Sequence, residues 1–123
     1  VLSPYETNLV NDFESTKRIM EEVNLPSFQL CVDTVPIRIA GDSLEQFFQE
    51  LGERICHVHL TDGTPGGHMP CGSGDHPIGE YLKVIGKYDY DGYITLEIGD
   101  TFWSTDPEKA TRMALDTIKS LIK

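Results

Sequence analysis

The sequence predicts an α/β fold in which parallel strands alternate with amphipathic helices, a series too short to close a barrel but suited to part of one. Three observations carry that expectation. The chain reads helix, strand, helix, strand, helix, strand, helix, the rhythm of strands joined by helical crossovers. The runs FQLCV, ICHVHL and YITLEI hold apolar residues on both faces, as strands of a covered parallel sheet do. Each run also closes on or near a polar residue that a buried strand would not otherwise choose: Asp33, His59 and Glu97.

Residues 9–23 place Leu9, Phe13, Ile19, Met20 and Val23 roughly on one helical face, and Asn24 with Pro26 ends that helix. Phe28 to Val32 is the first strand, ending at Asp33. Gly41 and Asp42 open the second helix, where Asp42 followed three residues later by Glu45 is a capping-box pattern. Leu44, Phe47, Phe48 and Leu51 form its apolar stripe, and Gly52 stops it. The second strand is Ile55 to Leu60, and a long loop follows from Thr61 to about Pro77. That loop gathers Gly63, Gly66, Gly67, Gly72 and Gly74 with Pro65 and Pro70. Loops of such length in a compact domain are usually functional or disordered.

A helix from Ile78 to about Gly86 leads through YDYDGY into the third strand, Tyr93 to Ile98. Asp106-Pro107-Glu108 is a cap followed by a first-turn proline, and Ala110, Met113, Ala114, Thr117, Ile118 and Leu121 recur at helical spacing to the end. No glycine-rich phosphate fingerprint follows a strand at its turn into a helix. PCGSG lies mid-loop, which argues against a dinucleotide fold.

A chain of 123 residues allows one domain with a single core. Its apolar share of 39% and charged share of 24% are those of a globular protein rather than a disordered one. Ten basic against twenty acidic residues give a net charge of −10, which argues against nucleic acid and suits a neutral substrate or a cation. No apolar run approaches the ~20 residues needed to span a bilayer. There is no basic-then-apolar leader either, so a cytoplasmic location without membrane association is expected. Three cysteines without C-x-x-C spacing suggest neither a disulfide framework nor a zinc knuckle. Cys31 and Cys56 are expected to act as small hydrophobes within strands. The opening VLSPYETN, without methionine, reads as the interior of a longer protein.

In an α/β barrel, the groups that do chemistry sit at the C-terminal strand ends. Asp33, His59 and Glu97 make a mixed oxygen and nitrogen set suited to Mn²⁺, Co²⁺, Mg²⁺ or Zn²⁺. Such an ion can hold neighbouring carbonyl and hydroxyl oxygens of a sugar and polarise the carbonyl. Taken singly, Asp33 has the alternative of a turn or helix cap, and His59 that of a core histidine with satisfied nitrogens. Glu97 is hardest to explain away, because glutamate is seldom buried unless paired. All four histidines fall between residues 57 and 76. The two-residue strand period puts His57 on the face of His59, one layer deeper, as a structural residue or a support to the ligands. His68 lies in the glycine-rich loop, where it can reach a substrate; an exposed loop histidine is the alternative for it and for His76. Asp62 is placed to orient the metal site or a substrate hydroxyl.

The blocks CVDT, HVHLTDG, PCGSGDHP and DYDGYITLEIGD, in that order, resemble the sugar-phosphate isomerase/epimerase family with the xylose-isomerase-like barrel. Tagatose and psicose 3-epimerases and fructoselysine 3-epimerase belong to it. The resemblance runs the length of the chain and covers only the family's C-terminal half. It implies a (β/α)8 TIM barrel, with residues 1–123 a single partial domain from the segment after strand five through the last helix. It also implies metal-ligand roles for Asp33, His59 and Glu97, with Glu97 serving besides as one of two acid/base groups.

VLSPYETN resembles the segment after the family's other ligand glutamate. Glu6 then matches a glutamate that contacts substrate, and the fourth ligand, which is also the second acid/base group, falls one residue before Val1. Two departures stand out. Pro36 replaces a substrate-binding histidine of the tagatose/psicose type, and the lengthened loop GTPGGHMPCGSG has no match for their arginine. His68 falls near a histidine of the fructoselysine type, which shares the PYE opening, so the resemblance leans to that branch.

The implied function is C3 epimerisation of a ketose or ketose derivative by proton transfer through an enediolate, with Mn²⁺ as the expected metal and a small sugar as the partner. The piece by itself is expected to be inactive. An aldose–ketose isomerase or an inosose dehydratase would use the same barrel. Endonuclease IV shares it too, but the acidity and the small number of histidines count against a trinuclear zinc site. The third reading is a non-catalytic half-barrel. Open strand edges and an apolar interior would drive self-association, so a homo-oligomer is expected.

Overall fold

The computed structural model describes residues 2–99 and 103–122. Strands β1 (Leu30–Asp33), β2 (Ile55–His59) and β3 (Tyr93–Thr95) form a parallel sheet in the order β1-β2-β3. Parallel neighbours need long crossovers. Helices α2 (Thr34–Ala40) and α3 (Leu44–Leu51) make the first, and α4 (Ile78–Lys87) makes the second. Helix α1 (Phe13–Val23) precedes β1, and α5 (Pro107–Leu121) closes the chain. The register sets up everything that follows: Asp33 lies opposite His59, and His59 opposite Thr95. All three strands therefore finish level at one end of the sheet.

The core lies between one sheet face and the helices. Val32 and Val58 are fully buried with Phe13 and Met20 of α1, Phe47 and Phe48 of α3, and Ile78 and Ile85 of α4. Phe13 and Phe47 pack edge to face with centroids 5.1 Å apart. Phe47 has 0% of its surface exposed, so truncation leaves a void in the middle of this cluster. Phe47→Ala is expected to cost about 3–5 kcal/mol of stability. Urea unfolding checks this, and an unchanged midpoint would contradict it. Alternation along β1 and β2 turns Cys31, Asp33, His57 and His59 to the opposite face.

Local contacts move several boundaries from where periodicity puts them. Helix α1 starts at Phe13, not Leu9, because the Asp12 carboxylate accepts the Ser15 N–H at 2.8 Å while the Ser15 hydroxyl accepts the Asp12 N–H. Leu9 stays outside the helix and is 73% exposed. The Asp42–Glu45 capping box does not form. Ser43 begins α3 without a side-chain cap, and the Asp42 carboxylate accepts the Phe13 N–H at 2.7 Å instead. That N–H belongs to the first turn of α1, where it has no partner within the helix. One carboxylate thus ties the start of α1 to the start of α3.

Helix α2 was not expected from the sequence. Asp33 caps it by accepting the Val35 N–H at 2.8 Å, and Pro36 falls in the first turn, where a missing N–H costs nothing. Strand β1 begins at Leu30, two residues after Phe28, which closes a turn onto Leu25. Strand β3 is three residues long, and Leu96, Glu97 and Ile98 run on past the ladder. Its burial also differs from expectation: Tyr93 is 81% and Ile94 41% exposed, because β3 has a strand partner on one side only among the described residues. Cys56 is exposed rather than a packed hydrophobe. No helix among the described residues is long and apolar enough to cross a membrane.

Candidate metal centre

The level strand ends bring Asp33, His59 and Glu97 together. One ligand-type atom from each lies within 4.8 Å of the others. His59 Nδ1 is 2.6 Å from Glu97 Oε2 and 3.9 Å from Asp33 Oδ2. Sequence reasoning placed His68 in the loop, within reach of a substrate. The structure sets its Nε2 3.5 Å from Asp33 Oδ2 and 3.6 Å from Glu97 Oε2, completing a ring of two carboxylates and two imidazoles. These four residues, with Leu2, Glu6 and Cys31, line a cleft of about 160 Å³. A larger hollow of about 460 Å³ runs along Pro107 to Lys119 of α5, but its walls come from one helix surface and offer no convergent groups.

Asp33, His59 and Glu97 are each held at or just past a strand end, and His68 by the loop after β2. Asp33 is 6% exposed and divides its carboxylate: Oδ1 caps α2, and Oδ2 faces the imidazoles. Burial pushes its carboxyl above the ordinary value; the Val35 N–H and His68 draw it back, and Glu97 adds to the rise. Two carboxylates facing one another in this way invite a cation between them. His57 lies one layer below His59, ring edge to ring face at 5.1 Å, with Nε2 2.7 Å from the Thr95 hydroxyl. Glu6 stands at the rim of the cleft. The Ser3 hydroxyl and N–H, at 2.7 and 2.9 Å, hold its carboxyl below the ordinary range.

Two residues that sequence reasoning passed over lock the strand ends in place. The Thr34 hydroxyl donates to Thr61 O at 2.9 Å and accepts the Thr61 N–H at 3.0 Å. The Thr61 hydroxyl in turn donates to Glu97 O at 3.1 Å. Both threonines are fully buried, and they bridge β1, β2 and the residues after β3. Their signal in the sequence is faint: a threonine directly after Asp33 and another two residues after His59.

Asp62 is not in the cleft. It is 1% exposed, and both its oxygens are taken by backbone N–H groups of the glycine-rich loop. Oδ1 accepts from Gly63 at 2.8 Å and His76 at 3.0 Å; Oδ2 accepts from Gly72 at 2.8 Å and Gly74 at 3.0 Å. No lone pair is left pointing at a ligand, so nothing remains for a substrate hydroxyl, one of the two roles expected of Asp62 beside orienting the metal site. His76 is likewise no exposed loop residue: it is 7% exposed, and its Nε2 donates to Pro65 O at 2.6 Å.

Burial drives the Asp62 carboxyl up, but the four N–H bonds together outweigh it and leave the group below the ordinary carboxylate range. A depressed folded value means its stabilisation is fully present above the unfolded value of about 4 and is lost as pH falls through the folded one. The urea midpoint of the unaltered protein should therefore fall toward that of Asp62→Asn below about pH 4. Parallel pH profiles for the two proteins would contradict this.

The profile of the xylose isomerase-like TIM barrel family matches residues 1–121. The chain belongs to that family. Fructoselysine 3-epimerase of Escherichia coli O157:H7 is 28% identical over 123 residues, which make up 98% of this chain and 44% of that enzyme. D-allulose 3-epimerase from Methylomonas sp., solved in complex with D-allulose, superimposes with a TM-score of 0.71 at 24% identity, covering 93% of this chain and 44% of that one. The IOLI protein, solved with a zinc atom, gives 0.70 at 20% identity over 92% and 44%. The chain thus spans less than half the length of these relatives, and the three-stranded sheet is one part of a xylose isomerase-like barrel.

Barrel membership explains the level strand ends, since this is the face on which α/β barrels present their functional groups. It also explains the face of Cys31, Asp33, His57 and His59, which is the interior of the barrel. The donor set fits a divalent metal. Two carboxylates and a strand imidazole converge, with a second imidazole beside them and no Lys or Arg among the described residues lining the cleft.

Proposed function

We propose that the protein carrying this chain is a divalent-metal-dependent sugar epimerase that inverts C3 of a ketose or ketose derivative. The convergence of Asp33, His59 and Glu97 at three adjacent strand ends carries this reading. The relative named as a fructoselysine 3-epimerase supports the reaction class. Asp33, His59 and Glu97 would hold the metal, which when bound polarises the substrate carbonyl and lowers the barrier to loss of the neighbouring proton.

The rest falls to the chain's own side chains. Glu97 takes the C3 proton on one face of the substrate, its Oε2 lying 2.6 Å from His59 Nδ1 beside the metal site. Return of a proton from the other face completes the inversion, a task for a group outside residues 1–123. His68 and Glu6 line the cleft and serve as substrate contacts, His68 presenting a ring N–H and Glu6 an ionised carboxylate. Asp62 organises the loop and is not a ligand of the sugar.

Mn²⁺ is the metal we assign, because two carboxylates with imidazole suit a harder ion than thiolate-rich zinc sites do. The test is a panel of ketoses, ketose phosphates and fructosamines incubated with the full-length protein and Mn²⁺, with products resolved by chromatography. Epimer formation at C3 is the expected result. Aldose products alone would instead identify an aldose–ketose isomerase, and no turnover of any of the three classes would overturn the reading.

Self-association belongs to the same proposal. The exposed Tyr93 and Ile94 of β3 form an apolar edge that a further strand would cover. Residues 1–123 expressed alone should run as a dimer or larger species in light scattering, and a monodisperse monomer would contradict this.

A further inference from the structure

The glycine-rich loop after β2 is built around a single buried carboxylate, and His68 is carried on that loop. Asp62 collects four N–H groups spread over residues 63–76. Its own backbone pairs with Met69 in both directions, N–H to O at 3.1 Å and O to N–H at 2.9 Å. His68 is the residue before Met69, and its carbonyl accepts the Gly99 N–H at 3.0 Å. His68 is thus pinned between Asp62 on one side and, on the other, the backbone just after Glu97. The His76 ring closes the base of the same loop by donating to Pro65 O.

The loop closes tightly enough around Asp62 to exclude side chains at two of its glycines. A Cβ on Gly74 would collide with Gly63 O and Asp62 Oδ1 and lie 2.6 Å from Gly63 N. A Cβ on Gly63 would lie 2.6 Å from Gly66 O and 2.8 Å from Pro65 O. Glycine is required here so that backbone can close directly onto the carboxylate.

We propose that Asp62 is a positioning residue: it touches neither substrate nor metal, and it folds the loop 63–76 so that the His68 imidazole meets the carboxylates of Asp33 and Glu97. The catalytic consequence rests on the epimerase reading; the structural one does not. An ionised acceptor is needed because four converging N–H groups leave no donor role for the side chain at this position. Asn supplies one acceptor oxygen and sets an NH2 group against the remaining N–H donors.

The experiment uses the full-length protein with Asp62→Asn. Carbethoxylation of His68 by diethyl pyrocarbonate, followed by peptide mass mapping without metal, is expected to speed up roughly tenfold, as for the loss of one charge-assisted hydrogen bond from the closed loop. His57, on β2, serves as the internal control and should keep its rate. An unchanged ratio of His68 to His57 modification in a folded variant would overturn the proposal.

Should the variant not fold, hydrogen exchange on the unaltered protein decides the matter. Gly72 is an exposed residue and Gly74 a half-buried one, so protection of their amides would come from the bonds to Asp62; exchange at the free-peptide rate overturns the proposal. Where epimerase activity is found, Asp62→Asn should lower kcat in the unaltered background and change it little in a His68→Gln background. Equal losses in both backgrounds would mean that Asp62 does not act through His68. Absence of activity in the unaltered protein would count against the epimerase reading alone, since the labelling and exchange measurements stand without it.

Discussion

Glu97→Gln in the full-length protein is expected to lower epimerisation by about 10²–10⁴-fold at saturating Mn²⁺, the usual contribution of a positioned acid/base group. The substitution keeps the length and one acceptor oxygen of the side chain, so the strand end and the contact with His59 lose little geometry. It removes the basic oxygen to which the proposed function assigns the proton. The Thr61 hydroxyl bonds the Glu97 backbone rather than its side chain, so that lock survives the change. The most direct measurement is exchange of the substrate C3 proton with D2O. Washout at the wild-type rate in the variant would remove Glu97 from the proton transfer, whatever happened to overall turnover.

Asp33 offers a second large effect, and a pair of substitutions separates its two functions. Oδ1 caps α2 through the Val35 N–H, and Oδ2 faces the imidazoles. Asp33→Ala should lose both, costing about 1 kcal/mol in the cap. Metal affinity should fall at least about a hundredfold, more than the loss of an outer supporting contact brings about. Asp33→Asn keeps an acceptor for Val35, so its stability should stay near that of the unaltered protein while its metal affinity falls nearly as far. Calorimetric titration with Mn²⁺ and urea unfolding read the two quantities independently. Binding of Mn²⁺ by the Asp33→Asn protein as tightly as by the original would exclude Asp33 from the metal site.

Much of this protein was legible in its sequence, and the legible parts share a physical cause. Helix stripes such as Leu44, Phe47, Phe48 and Leu51 follow from the 3.6-residue period, and the αL cap at Asn24 and the Asp106-Pro107 start of α5 are local chemistry. The three strand-end residues were visible because each is a polar residue closing an otherwise apolar run. Of the three only Asp33 is buried, while the side chains of His59 and Glu97 are 30% and 41% exposed, so Glu97 is not the buried glutamate the sequence suggested. The elements read less well are those decided by partners far along the chain. Asp42 looked like the start of a capping box because Glu45 stands at the right spacing. The structure gives its carboxylate to Phe13, a residue 29 positions away that no local rule connects to it.

Sequence alone pointed to the parallel α/β order and to Asp33, His59 and Glu97 as a set, because strand period, crossover helices and unusual strand-end residues are one-dimensional signals. The family came from the resemblance of the blocks CVDT, HVHLTDG, PCGSGDHP and DYDGYITLEIGD. Only the tertiary structure decided which other residues join that set. His68 and Asp62 sit on one long loop and were given similar roles from the sequence. Folding of the loop set the imidazole of the first 3.5–3.6 Å from the carboxylates of Asp33 and Glu97 and buried the carboxylate of the second under four backbone N–H groups. A loop rich in glycine has no period to read. Its shape is set by whichever buried acceptor its amides can reach, and that is fixed only when the chain has closed around Asp62.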